Sequence, residues 1–187
     1  MSIREVVFLT LKEFFQTAII SLAIFLFVYL FLVQPHRVQG LSMVPTFESG
    51  ELLLTEKLSY RLYRPQRGDV IVFEAPVSRN ADFIKRIIGL PGETVKIEDG
   101  SIYINGQKLE ENYTSSPTQG NETVTVGSNE YFVLGDNRSA SSDSRSFGTI
   151  KKRTIRGKAW LVYWPIFKSA SSFGARIISS VNYHISY

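Results

Sequence analysis

The chain has 187 residues, enough for one domain with a hydrophobic core plus an anchor but short for two independent domains. It has no cysteine, which excludes disulfides, thiol nucleophiles, iron–sulfur clusters and cysteine-ligated zinc, and its two histidines, His36 and His184, lie near expected segment ends, which disfavours an imidazole base. Net charge is +4; residues 151–187 carry seven Lys or Arg and no Asp or Glu, residues 1–13 balance to zero, and 14–150 are therefore net −3, so the basic excess lies in a C-terminal stretch.

That stretch contains no zinc-finger, helix-turn-helix or RNP-type pattern, so a nucleic-acid partner is not expected. A basic surface resting near anionic lipid is the simpler reading.

In chain order, the first strong signal is apolar. No Asp, Glu, Lys or Arg occurs from Phe14 to His36, and Thr17–Val33 reads TAIISLAIFLFVYLFLV, close to the ~20 apolar residues that cross a bilayer. Residues 14–36 are read as a transmembrane anchor and 1–13 as a short cytoplasmic N-terminus. A cleaved secretory signal and a buried core helix are the competing readings. Arg4, Lys12 and the terminal amine against Arg37 alone lean toward a cytoplasmic N-terminus.

Beyond the anchor the pattern is mainly β. Leu52–Leu54, Asp69–Phe73 and Phe83–Ile88 are short runs rich in β-branched and aromatic residues, bounded by Gly or Pro. Val95 and Ile97, then Ile102 and Ile104, alternate with polar residues around Asp99-Gly100, the pattern of a hairpin with a primed turn. Asn105-Gly106 marks another turn. Glu110–Thr123 is polar, holds Pro117 and Gly120, and reads as an exposed loop. Strand character returns at Tyr131–Leu134 and Ala159–Trp164. Residues 166–187 show no periodicity and receive no role.

Three places could carry chemistry. Ser42 sits in GLSMVPT, where Gly40 permits unusual backbone angles and Pro45 stiffens the turn; the hydroxyl is either exposed for attack or a local hydrogen-bonding group. If Phe83–Ile88 is a strand, Lys85 shares a face with Phe83 and Ile87, while Ile84, Arg86 and Ile88 share the other. An ammonium there is either snorkelling from an edge or desolvated, and desolvation lowers its pKa toward that of a general base. The polar run GDNRSASSDSR, Gly135–Arg145, is either a solvated turn or a loop whose Ser141 orients a neutral lysine. Within it Asp143 and Arg145 can pair, which at a surface contributes only ~0–1 kcal/mol.

Four motifs in order, GLSMVPT (Gly40–Thr46), RGDVIVF (Arg67–Phe73), FIKRIIGLPGE (Phe83–Glu93) and GDNRSASSDSRSFG (Gly135–Gly148), resemble the type I signal peptidase family in its compact, single-anchor, Gram-positive-like form. The resemblance implies an extracytoplasmic Ser-Lys protease domain at 37–165, an antiparallel β-sheet fold following one transmembrane helix. It implies Ser42 as nucleophile and Lys85 as base, Ser141 as hydrogen-bond partner of the lysine, and Asp143 with Arg145 as a supporting pair. Val38, Met43, Val72 and Ile84 match positions lining pockets for small side chains at the first and third positions before the cut.

The implied substrates are preproteins with signal peptides at the lipid bilayer, with no metal, organic cofactor or obligate protein partner. One departure stands out: some members carry a second serine two residues before the nucleophile, where this chain has Gly40. The oxyanion is then left to the Ser42 backbone N–H, alone or with a backbone group near Gly40. A relative specialised for one pilin or conjugation component, and a non-catalytic tethered β-domain, are the alternative readings.

Overall fold

The computed structural model describes residues 3–78, 81–165, 167–169, 172–173 and 176–178. Helix α1 spans Ile3–Phe31, and none of its side chains is buried against the rest of the molecule. Its charged residues, Arg4, Glu5, Lys12 and Glu13, all lie in the first half. At ~1.5 Å per residue the uncharged remainder from Phe14 is roughly 27 Å long, close to the hydrocarbon thickness of a bilayer. The helix therefore has the length and composition of a membrane span.

Its bounds differ from the anchor expected at 14–36. The helix starts earlier, because a charge-free run marks hydrocarbon and not helix, and it stops at Phe31. Residues 33–36 instead begin strand β1 (Val33–Arg37), where Pro35 lacks a backbone N–H and drives the preceding residue to extended angles.

The remainder is antiparallel β. Strands β2 (Leu52–Glu56), β3 (Val70–Glu74), β4 (Asp82–Gly89), β5 (Thr94–Glu98), β6 (Ser101–Ile104), β7 (Gln107–Lys108), β8 (Glu122–Thr125), β9 (Glu130–Leu134), β10 (Ile150–Lys151) and β11 (Ile155–Trp164) form two sheets. The large sheet runs β1-β2-β11-β3-β4-β9-β10, and the small one β7-β6-β5-β8. A short pair, β12 (Phe167–Ser169) and β13 (Ser172–Phe173), stands apart, and β14 (Arg176–Ile177) adds to β11. One-turn helices α2 (Ser59–Leu62) and α3 (Ser144–Phe147) complete the elements used below.

The strands expected from alternation are present. The β5–β6 turn has Asp99 and Gly100 both at positive φ, as a primed turn requires. Glu110–Thr123 departs from a simple exposed loop: Thr118 is buried, Glu111 pairs with the buried Arg138, and Glu122–Thr125 forms β8. Polar composition hid this burial, because Glu111 meets a buried guanidinium that lies far along the chain.

Three apolar clusters build the core. One lies under the small sheet, around Ile88, Val95, Ile102, Phe132 and Leu134. A second joins Val38, Met43, Phe47, Leu53, Val70, Val72 and Val162. A third, on the other face of β3 and β4, joins Ile71, Phe73, Ile87, Tyr131 and Val133.

At the junction of the first two clusters sits a charge. Arg86 is 2% exposed and Asp136 is fully buried. Nε and Nη2 of Arg86 donate to the Asp136 carboxylate at 2.8 and 2.7 Å, and Nη1 donates to the Gly68 carbonyl at 2.9 Å. Thr46 donates to the same carboxylate at 2.5 Å, and the Tyr113 ring covers the guanidinium. This knot ties β4, the turn after β1 and the loop after β9 into one body.

Asp136→Ala leaves Arg86 charged, buried and without its carboxylate, and is expected to destabilise the domain by roughly 3–5 kcal/mol. Denaturant unfolding of the detergent-solubilised chain, followed by tryptophan fluorescence, measures this; an unchanged midpoint contradicts it.

Candidate active site

Ser42 lies in a tight turn whose walls are set by its neighbours. Met43 and Phe47 bury their side chains in the second cluster, the Phe47 N–H donates to the Met43 carbonyl at 2.8 Å, and the Val38 N–H donates to the Glu51 carbonyl at 2.8 Å. The Ser42 carbonyl accepts the Asn137 N–H at 3.0 Å, which fastens the turn to the loop following β9. Gly40 has φ +87°, which explains glycine there although a side chain would meet no atoms.

Lys85 reaches the turn from β4. Its Nζ is 2.8 Å from Ser42 Oγ and 2.9 Å from the Ile84 carbonyl, 43 residues of chain separating the two site residues. Lys85 is 4% exposed and its amine lies 5.3 Å from the centre of the Phe83 ring. Burial lowers its pKa to about 8, against the opposing pull of the Asp143 and Asp136 carboxylates, which favour the charged form. The neutral form, which can accept a proton, is thus a minority near pH 7 but far more populated than for a solvated lysine.

Asp143 and Arg145 form a pair of a different kind from the surface pair expected. Asp143 is fully buried and Arg145 Nε and Nη2 donate to its two oxygens at 2.8 and 2.9 Å, a bidentate arrangement that a short loop can hold because Asp143 also caps α3. The carboxylate further accepts the Gly135 N–H at 3.1 Å, and Arg145 donates to the Arg138 carbonyl at 2.7 Å.

Ser141 differs from expectation: it forms no bond to Lys85. Its Oγ is buried without a hydrogen-bond partner among the described residues, over Gly135. The amine is directed to Ser42 and Ile84 instead, an angular choice that spacing along the chain does not contain. A Cβ at Gly135 would overlap both Ser141 and the Ser42 carbonyl, so close approach requires glycine at that position.

A cleft of about 550 Å³ opens beside the pair. Of the expected pocket residues, Val38, Val72 and Ile84 line it, joined by Leu41, Leu53 and Phe83. Met43 does not line it: it is 1% exposed and packs inside the second cluster, because the turn points it opposite to Ser42. Along one wall, β4 pairs with β3 from Asp82 to Arg86 but with β9 only from Arg86 onward. Asp82–Lys85 therefore presents backbone to the cleft. The Gly40 N–H is engaged by Ser49 Oγ at 3.2 Å, whereas the Ser42 N–H makes no hydrogen bond among the described residues.

The sequence reading missed the Arg86–Asp136 knot and the Arg67–Glu93 pair, 2.5 Å, which joins the second motif to the third. A signal for the first was present: Arg86 occupies the apolar face of a central strand between Ile84 and Ile88, and a charge there demands a buried partner.

Known proteins are similar to this chain over most of its length. Residues 11–164 match the family model described as signal peptidase, peptidase S26. A signal peptidase I of Leptolyngbya laminosa is 41% identical over 166 residues, covering 83% of this chain and 81% of that protein. One from Bacillus licheniformis is 36% identical over 168 residues, covering 83% and 90%. A solved signal peptidase I structure from Enterococcus faecalis V583 is 38% identical, covering 51% of this chain and 97% of that one, with a TM-score of 0.47. With a family match running through the anchor and the β domain alike, this chain belongs to the signal peptidase family, peptidase S26.

Proposed function

We propose that Ser42 is the nucleophile and Lys85 the general base of a membrane-anchored peptidase that removes signal peptides from preproteins after small-X-small sequences. Membership of a serine endopeptidase family sets the reaction class. The single observation supporting the dyad is a buried lysine amine 2.8 Å from a turn serine, at the side of a cleft.

The segment before the cut lies extended along Asp82–Lys85, whose backbone faces the cleft, and adds as a strand. Val38, Val72 and Ile84 narrow the cleft beside it, which favours small side chains at the first and third positions. Neutral Lys85 takes the proton of Ser42 Oγ while that oxygen attacks the scissile carbonyl. The Ser42 N–H donates to the developing oxyanion; the Gly40 N–H is already committed to Ser49. Lys85 returns the proton to the leaving amine, and an acyl-enzyme remains on Ser42. Water, deprotonated by the same amine, then releases the signal peptide. Ser141 enters this scheme as a buried hydroxyl fitted against Gly135, not as a partner of the amine.

The topology completes the proposal: residues 1–13 are cytoplasmic, the uncharged part of α1 from Phe14 crosses the bilayer, and the β domain works on the outer surface. Tethering confines enzyme and substrate to one plane and raises their effective concentration.

Ser42→Ala and Lys85→Met are each expected to lower preprotein turnover by about a thousandfold or more, and Lys85→Arg equally, since a guanidinium stays protonated. Cleavage of a model preprotein in detergent or vesicles measures this; unchanged turnover in any of the three refutes the dyad.

The pH profile carries the sign of the base. With the pKa of Lys85 at about 8, kcat/KM should fall about tenfold per pH unit on acidification below that value, and level off above it. A profile flat from pH 6 to 9 contradicts a lysine base.

A further inference from the structure

The matched family region stops at residue 164, yet the chain returns to the catalytic turn after it. Strand β14 pairs antiparallel with β11, Ile177 opposite Leu161 and Arg176 opposite Val162. It takes the edge of β11 that β3 leaves open, since β3 pairs only with Ile155, Gly157 and Lys158. The Ile178 N–H donates to the Trp160 carbonyl at 2.8 Å, and the Ile178 side chain packs on the cluster that holds Val38, Met43 and Phe47.

From this strand Arg176 reaches under the nucleophile's turn. Its Nη2 donates to the two oxygens of Glu51 at 3.2 and 3.1 Å, and its guanidinium lies 5.6 Å from the centre of the Phe47 ring. Glu51 is 3% exposed, so its charge requires compensation inside the fold. The same carboxylate accepts the Glu48 N–H at 3.1 Å. The Glu51 backbone carbonyl accepts the Val38 N–H, and Gly50 donates to the Val38 carbonyl at 2.9 Å. Gly50 and Glu51 thus close the stretch that starts at Val38 by pairing with that residue, the Glu51 carboxylate holds Glu48 within it, and Ser42 lies in the same stretch.

We propose that Arg176 is a positioning residue for Ser42: by holding the Glu51 carboxylate it fixes the turn that aims the hydroxyl at Lys85. This rests on the assignment of Ser42 as nucleophile. Arg176 touches no reacting atom, so its loss should shift the alignment of the attacking oxygen and leave substrate binding alone.

The test uses the full chain in detergent, with kcat and KM measured on a model preprotein. Arg176→Met keeps the stem over Phe47 and removes the charge; kcat should fall about tenfold with KM within about twofold, since small misplacements of a nucleophile lower rate steeply. Arg176→Lys should recover most of that loss. Combined with Glu51→Gln, which leaves no carboxylate to neutralise, Arg176→Met should add less than about threefold to the effect of Glu51→Gln alone.

Wild-type kcat in Arg176→Met, a loss confined to KM, or full additivity in the double variant would each overturn the proposal. So would a loss of kcat that tracks a falling Tm. Ser42→Ala, run alongside, separates the two levels: an active Ser42→Ala enzyme sinks the dyad itself, whereas an inactive one beside an unimpaired Arg176→Met sinks only the role of Arg176.

Discussion

The structure depends on keeping one lysine amine out of water and within hydrogen-bond distance of one serine. Lys85 gains nothing for the fold by being buried; desolvation of its charged form is a cost that other interactions must offset. The β3–β4 register sets the amine's place, with Ile71 opposite Lys85 and Phe73 opposite Phe83, an aromatic and aliphatic floor under the side chain. The apolar floor is what weakens the amine's hold on its proton.

Carboxylates near such an amine work against its neutrality, and two lie close enough to pull on it, Asp136 and Asp143. Each is taken up by a guanidinium of its own: Arg86 holds Asp136 and Arg145 holds Asp143, both in two-pronged geometry. A guanidinium beside each carboxylate carries the opposite charge, and desolvation of the amine outweighs the pull of both carboxylates. The same pairs have a mechanical role. One binds β4 to the turn of Ser42 through Thr46, and the other stiffens the loop whose Asn137 N–H holds the Ser42 carbonyl. Electrostatics and position are therefore served by one set of residues.

The order of strands explains how distant parts of the chain reach the site. β1 leads directly from the membrane helix into the turn of Ser42, while β3 and β4 bring Lys85 from the middle of the sheet. The small sheet packs over Ile88, Phe132 and Leu134, and the polar segment before β8 presses Tyr113 on Arg86 and Glu111 on Arg138. A segment that reads as an exposed loop by composition thus supports β4 and the loop after β9.

The sequence by itself determined the apolar span and the β character, because each rests on a local signal, and it singled out Ser42 and Lys85 as candidates through the order of its motifs. A charge-free apolar run, period-two alternation, Asp-Gly and Asn-Gly turns, and four ordered motifs are all readable from neighbours along the chain. Tertiary structure alone decided what depends on direction and on contacts across many residues. The end of the helix at Phe31, Met43 turning into the core, Ser141 facing Gly135 and not the amine, and Asp143 sinking out of water belong to that group. Arg176 is the clearest case: nothing near it in sequence marks it, and only the pairing of β14 with β11 carries its charge to Glu51. Side-chain direction and desolvation are properties of the packed chain, and no window of neighbouring residues encodes them.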